Sequence, residues 1–327
     1  MDTQQLSTAT AIRRFEERDY AAVVAITNAV FPDRIDTVKE MRYDDEHFDP
    51  RCVVERWVAE DRWGQVTGFA DLRNMQWAYH PQKFAAGIRV HPAHRRRGIG
   101  AALWARVAEA LGRHDAVSVK AEVWEAMPEG TAFVRRLGFR ETMRAWESRL
   151  PVAEFDFGRF TPYLDSALQS GVIITTMAAE RAAGGEEALR RIHAMEAEIA
   201  DDIPRPADDV STPLPYDRWL EHAVVAPWAI NDAFFVAVIG GEHAAVSSLW
   251  KPQRGDYLHQ GLTGVRRPFR GRHIATALKV KTAQYARDHG VREIRTWNEI
   301  NNRPMLAINE KFGFVRQPAW VTFIKDC

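Results

Sequence analysis

Cysteine is almost missing from this chain of 327 residues, which has only Cys52 and Cys327. They stand far apart, so free thiols of a reducing compartment are expected rather than a disulfide. Net charge is missing too, with 44 Lys and Arg against 44 Asp and Glu. Without a net field, neither nucleic acid nor an anionic membrane is expected as a partner. No apolar run approaches the roughly 18 residues that a spanning helix needs, so no membrane span is expected. The opening stretch lacks an apolar signal core and carries Arg13, Arg14, Glu16, Glu17, Arg18 and Asp19 instead. A cytoplasmic protein is therefore expected. No metal is expected. Apolar residues, at 46%, suffice for two hydrophobic cores.

What the chain does have is one pair of signatures written twice. Arg95-Arg96-Arg97-Gly98-Ile99-Gly100 precedes Leu137-Gly138-Phe139, and Arg270-Gly271-Arg272-His273-Ile274-Ala275 precedes Phe312-Gly313-Phe314. Arg95 to Gly138 and Arg270 to Gly313 are both 43 positions, and the copies are offset by 175. A repeat of that length is a domain, and the chain length suits two. The expected division is 1–150, a linker over 151–171, and 172–327. Phe155, Phe157 and Phe160 suggest that the linker packs.

Apolar periodicity predicts one order of elements in both halves. In the first, strands cover 11–14, 53–60, 66–75, 84–90, 118–123 and 139–149. Helices start at 19 and cover 97–112 and 131–137. In the second, strands cover 172–176, 234–239, 244–250, 258–265, 291–297 and 321–324. Helices cover 186–199, 271–289 and 303–312. Ile274, Ala277, Leu278 and Tyr285 repeat Ile99, Ala102, Leu103 and Ala110 at the 175 offset.

A strand, then Arg-x-x-Gly-x-Gly, then a helix is a recipe for binding an anion. Glycine lets backbone approach a ligand. The first helical amides and the helix dipole favour a phosphate. Arg95, Arg96 and Arg97 add charge beside Gly98, Ile99, Gly100 and Ala101. Arg270, Gly271, Arg272, Ile274 and Ala275 form the second such turn. The lysine-bearing phosphate loop and the three-glycine dinucleotide fingerprint are both absent.

The stretch from Val90-His91-Pro92 through Arg95–Gly100 to Leu103 resembles the pyrophosphate-binding motif of GNAT acyltransferases. Ala132-Phe133-Val134-Arg135-Arg136-Leu137-Gly138-Phe139 is similar to their following helix. Thr263-Gly264-Val265 with Arg270–Leu278 resembles the same motif, as does Asn298–Leu306 through Gly313-Phe314. The architecture resembles the tandem members of the superfamily, such as mycothiol synthase. That resemblance implies an α/β (α+β) fold of two tandem GNAT-like domains, each a mixed, mostly antiparallel sheet flanked by helices. It implies acetyl-CoA as donor, with its pyrophosphate on the amides of Arg96–Gly100. The pantetheine arm would run along Ile88-Arg89-Val90 like an added strand. Thr263, Val265, Asn298, Asn302 and Asn309 are the matching contacts of the second copy. An amine would attack the thioester directly, which needs a base and donors to the thioester oxygen.

Both copies depart from the family pattern. His273 replaces the motif's first glycine; it either crowds the pyrophosphate or points outward while its amide still donates. The family's acidic tyrosine falls at Val134 and Asn309, and neither protonates a thiolate. As base, His259 is the candidate in the second copy, where its ordinary pKa suits the task. Glu122 is the candidate in the first, with Asp71 and Glu299 behind them. The segments after the first helix are acidic: Asp44, Asp45, Glu46 and Asp49, then Glu196, Glu198, Asp201, Asp202, Asp208 and Asp209. They suit a cationic amine. Trp57, Trp77, Trp124, Trp219, Trp228, Trp250 and Trp297 belong to cores or wall an apolar pocket. The expected function is N-acetylation of a primary amine on a small molecule. Binding of CoA without turnover in one or both copies, and acetylation of proteins, are the alternatives.

Overall fold

The computed structural model describes residues 11–205, 212–252 and 254–327. They form two compact units, and each has a mixed, mostly antiparallel sheet flanked by helices, as expected. The first unit holds the described residues up to Val123, then Pro128–Thr142 and Thr322–Cys327. Its elements are β1 (Ala11–Arg14), α1 (Tyr20–Val30), α2 (Val38–Glu46), β2 (Val54–Glu60), β3 (Val66–Arg73), β4 (Lys83–Val90), α3 (Ile99–Arg113), β5 (Ser118–Trp124) and α4 (Pro128–Arg136). Strands β1 to β5 lie in sequence order, all antiparallel except the β4–β5 pair. The stripe of α3 buries Ile99, Leu103, Val107, Ala110 and Leu111 to 5% exposure or less. Each large aliphatic side chain so buried contributes about 1.5–3 kcal/mol.

The second unit comprises Trp124–Met127 and Met143–Val321. It contains most of β6 (Arg140–Pro151), then α5 (Phe157–Gln169), β7 (Ile173–Thr176), α6 (Met177–Ala200), α7 (Tyr216–Leu220), β8 (Ala229–Ile239), β9 (Glu242–Trp250), β10 (Tyr257–Val265), α8 (Ile274–Asp288), β11 (Glu293–Glu299), α9 (Arg303–Phe312) and the start of β12 (Val315–Asp326). Its strand order is β6-β11-β10-β9-β8-β7, with only β10–β11 parallel.

These units do not coincide with boundaries at 150 and 172. Residues 145–151 of β6 pair in register with β11, which draws them into the second unit. The last six residues join the first, where the Cys327 amide donates to the Val117 carbonyl and the Lys325 Nζ donates to the Leu137 carbonyl. The expected linker contains α5, whose Phe160 stacks on Phe155 and packs 4.4 Å from the Phe312 ring. Helix α2 was not expected, because VKEMRYDDE has no apolar stripe. A capping box starts it: the Glu40 amide donates to Thr37 Oγ1, and the Thr37 amide donates to Glu40 Oε2, both at 3.1 Å.

One feature of the sheets positions the site. β4 and β5 pair only over Lys83↔Ser118 to Ala85↔Lys120, while β3 follows β4 as far as Val90. β10 and β11 pair only over Tyr257↔Glu293 to His259↔Arg295. Beyond Ala85 and His259 the parallel strands part. The backbone of 86–90, and that of 260–265, therefore has no strand partner on its parallel side among the described residues.

Candidate acyl-donor site

Each parted strand leads through one 3-10 turn, Pro92–His94 or Arg267–Phe269, into its arginine–glycine turn. Two positions per turn have left-handed backbone: Arg96 (φ 63°) and Gly98 (φ 82°) in the first, Gly271 (φ 79°) and His273 (φ 57°) in the second. The 175 offset pairs Arg96 with Gly271 and Gly98 with His273. Each turn thus has one glycine and one side-chain-bearing residue, in opposite order. His273 is half of an exchange, not a lone loss of glycine. A left-handed non-glycine residue costs roughly 1–2 kcal/mol, so both turns carry similar strain. The His273 ring lies edge-on to Tyr163 of α5, with centroids 5.2 Å apart.

The first arginine of each turn has a job that the motif does not reveal. Arg95 Nε donates to the Val90 carbonyl at 3.4 Å, and Arg270 Nε to the Val265 carbonyl at 2.9 Å. Both strap the turn to the strand it leaves. Arg96, Arg97 and Arg272 remain exposed. The first intrahelical bonds are Ala102 N–H to the Gly98 carbonyl and Ala277 N–H to the His273 carbonyl. The amides of Ile99, Gly100 and Ala101, and those of Ile274 and Ala275, precede them and are the open donors of their helices. A Cβ on Gly98 or Gly271 would meet no atom within 4 Å. The space in front of both turns is open.

In the second unit a cavity of about 540 Å³ adjoins the turn. It gathers Thr263, Val265, Arg270, Gly271, Arg272, Ile274, Ala275 and Asn302. Asn302 also caps α9 through the Met305 amide. Asn298 and Asn309 are not in that lining; Asn309 Nδ2 donates to Asn298 Oδ1 at 2.6 Å. Asp202 stands at the cavity wall, pairs with Arg270, and accepts from Arg267 at 2.6 Å. Those two guanidinium groups hold its carboxyl down at about 2. Ile88, Arg89 and Val90 of the first unit lie on the stretch of β4 that pairs with β3 but has parted from β5.

The candidate bases are dispersed. His259 sits at the last paired position of β10, 5% exposed. Its ring stacks on Trp250 at 3.9 Å and lies 4.8 Å from Trp297, with Tyr257 perpendicular. That is an aromatic enclosure rather than the opening between strands. Glu122 is exposed, on β5 beyond its last pairing with β4. Glu299 accepts from the Asn301 amide at 2.7 Å and serves its turn. Asp71 is buried on β3, opposite Gly87. Val134 is buried in α4.

Much of the acidic segments is already paired. Asp45 accepts from Tyr20 Oη at 2.6 Å and pairs with Arg56, Asp49 pairs with Arg51, and Glu198 pairs with Arg266. Asp208 and Asp209 lie outside the described residues. Glu196 accepts from Trp219 Nε1 at 2.5 Å, and burial pushes its carboxyl up from 4.5 to about 7. The folded state thus keeps a proton that the unfolded chain gives up at 4.5, so stability is lost as pH rises from 4.5 to 7. Glu196→Gln is expected to raise the melting temperature at pH 8 and to leave it nearly unchanged at pH 4.5. Thermal melts at both pH values check this.

Comparison with known proteins gives a consistent family. Residues 54–141 match the family described as "Acetyltransferase (GNAT) domain", and residues 196–314 match "Acetyltransferase (GNAT) family". The mycothiol acetyltransferase of Frankia casuarinae is 33% identical over 115 residues, 35% of this chain and 30% of that protein. This chain thus matches less than a third of that relative's length. A tandem GNAT protein from the clavulanic acid biosynthesis pathway superposes with a TM-score of 0.76 at 22% identity, covering 97% of this chain and 98% of that one. A GCN5-related N-acetyltransferase from Sphaerobacter thermophilus gives 0.68 at 19%, covering 97% and 95%. At such identities these two likenesses are of fold.

Proposed function

Because this chain belongs to the GNAT acetyltransferase family, whose members draw on acetyl-CoA, we propose that it is an acetyl-CoA-dependent N-acetyltransferase. Its acceptor is a primary amine on a small molecule, attacked directly in a ternary complex in the cytoplasm. One observation carries the reading: in each unit an unpaired strand edge leads into a left-handed turn and the open amides of a helix. The residues suit the donor. The open amides of Ile99, Gly100 and Ala101 start α3 beside the open space at Gly98, a place for a pyrophosphate, and the edge of 86–90 suits a pantetheine arm.

The first unit is the better place for chemistry. In the second, a Cβ at Gly264 would stand 2.1 Å from Ile199 Cγ2, so α6 is packed directly onto β10. Arg89 holds the corresponding position in the first unit. Acyl transfer forms the amide C–N bond and breaks the thioester C–S bond. The ammonium proton passes to a carboxylate, Glu122 or Asp71, and backbone N–H groups of β4 are the donors for the thioester oxygen. With Val134 and Asn309 at the family's tyrosine position, water is the proton source for the leaving thiolate. A second reading, donor binding without turnover, fits the second unit, where Asp202 occupies its arginines and Ile199 fills the acceptor face.

Calorimetric titration with acetyl-CoA, coupled to turnover on an amine panel, tests this. Gly98→Trp is expected to abolish donor binding to the first unit and cut turnover by about 100-fold or more. Gly271→Trp is expected to leave turnover within about threefold, since it alters the turn of the other unit. Retained turnover in Gly98→Trp would move the chemistry to the second unit. Donor binding without transfer to any amine would leave a CoA-binding protein.

A further inference from the structure

We propose that the acceptor is an amino acid in the broad sense: Arg89 receives its carboxylate and Asp71 its ammonium. This rests on the N-acetyltransferase reading and names the acceptor class within it.

The argument begins at Gly87. In the β3–β4 pair Asp71 faces Gly87 and Phe69 faces Arg89, so all four share one face of the sheet. A Cβ on Gly87 would stand 2.5 Å from Asp71 Oδ1. The glycine lets a carboxylate from β3 lie over bare backbone of β4, the strand that would carry the acyl arm. A carboxylate therefore reaches β4 even though β4 has none of its own.

Asp71 is 7% exposed. Its nearest cations are Arg89 NH1 and Arg73 Nε, each at 3.6 Å, beyond hydrogen-bond distance. The Arg89 side chain is 31% exposed. Its guanidinium lies 5.3 Å from the Phe69 ring and 5.8 Å from the Phe31 ring. Burial lowers its pKa, with Asp71 opposing. Among the described residues neither side chain makes a hydrogen bond. The two opposite charges, one buried and one half-buried, are neighbours that attract without a hydrogen bond, so each keeps hydrogen-bonding capacity to offer a ligand. A zwitterion lying beside the pair, its ammonium at Asp71 and its carboxylate at Arg89, would give each the hydrogen bonds that it lacks.

Charge around the pair selects the anion. Asp36 and Asp44, both exposed, lie within electrostatic reach of Arg89 and Arg73 respectively. These carboxylates disfavour a dianionic phosphate. A carboxylate carries one charge and matches the planar guanidinium fork. By strand register the second unit has Ser248, Leu262 and Gly264 at the places of Asp71, Gly87 and Arg89, so the arrangement belongs to the first unit alone.

The test pairs binding with transfer. Alkylamines and the α-, β- and γ-amino acids of matching length are titrated into the full chain saturated with CoA, and each is assayed with acetyl-CoA. At least one amino acid is expected to bind about 30-fold more tightly than its alkylamine. Arg89→Ala is expected to bring that ratio to within about threefold of one, and Arg89→Lys to restore part of it. A thermal melt of each variant verifies folding. Equal binding of amine and amino acid by the wild type, or a preference that survives in folded Arg89→Ala, overturns the proposal. An Arg89-dependent preference without acetyl transfer upholds the subsite and overturns the acetyltransferase reading instead.

Discussion

Lys279→Met is expected to raise the melting temperature of the second unit by about 5–10 °C at pH 7, from a gain of roughly 2–3 kcal/mol. Lys279 lies on α8, is 2% exposed, and pairs with no carboxylate among the described residues. Its Nζ stands 3.5 Å from Gln260 Oε1 and 4.9 Å from the Phe314 ring centroid. Burial pushes the amine down from 10.5 to about 7. The unfolded chain takes up a proton as pH falls below 10.5, and the folded state does not until about 7. Stability is therefore lost across that window, and the loss persists below it. Methionine removes the amine and keeps the volume. Gln260 Oε1 keeps the Thr282 hydroxyl at 3.2 Å, a donor that it shares with the Lys279 carbonyl at 2.8 Å. The first copy shows that an apolar residue fits this environment: Trp104 stands at the same repeat position and packs edge-on against Phe139, 5.5 Å between centroids. Melting curves at pH 7 and pH 10.5 separate the causes. A gain at pH 7 that shrinks at pH 10.5 assigns it to the amine, and an equal gain at both pH values assigns it to packing.

What could be read in advance divides along physical lines. Local pattern is legible in a sequence, so the strands, α3 and α8 followed from apolar periodicity, and the two turns followed from their glycines. Helix α2 did not, because its start depends on the reciprocal Thr37–Glu40 cap and its body is charged. Conformation at single residues was also hidden. Nothing in Arg96 announces a left-handed backbone, so His273 looked like damage to a motif when the glycine had moved two places. The strap from Arg95 to Val90, and from Arg270 to Val265, was masked by the charge of the side chain, which points to phosphate before it points to a carbonyl. Contacts between strands were least accessible. Asp71 matters because Gly87 faces it in another strand, and no spacing within either strand states that register. His259 shows the converse: a suitable residue type on a suitable strand, placed by pairing with β11 inside an aromatic stack.

The second turn should bind acetyl-CoA about tenfold more tightly in Asp202→Asn than in the wild type. Asp202 follows the end of α6 and pairs with both Arg267 and Arg270, the second of which lines the cavity with it. A pyrophosphate arriving at the amides of Ile274 and Ala275 would meet that carboxylate as a like charge and would have to compete for both guanidinium groups. The carboxyl, held at about 2, stays ionised throughout the physiological range, so the clamp is never relieved by pH. Asparagine removes the charge and keeps the shape. The pairs are exposed, with Arg267 at 73% and Arg270 at 47%, so their loss costs the fold little. The gain in affinity should shrink with added salt, because screening weakens the repulsion in the wild type as well. Titration with acetyl-CoA in the Gly98→Trp background isolates the second turn. Unchanged affinity in Asp202→Asn at low salt would show that the arginines it holds are not ligands of the donor, and that the backbone amides alone make the cradle.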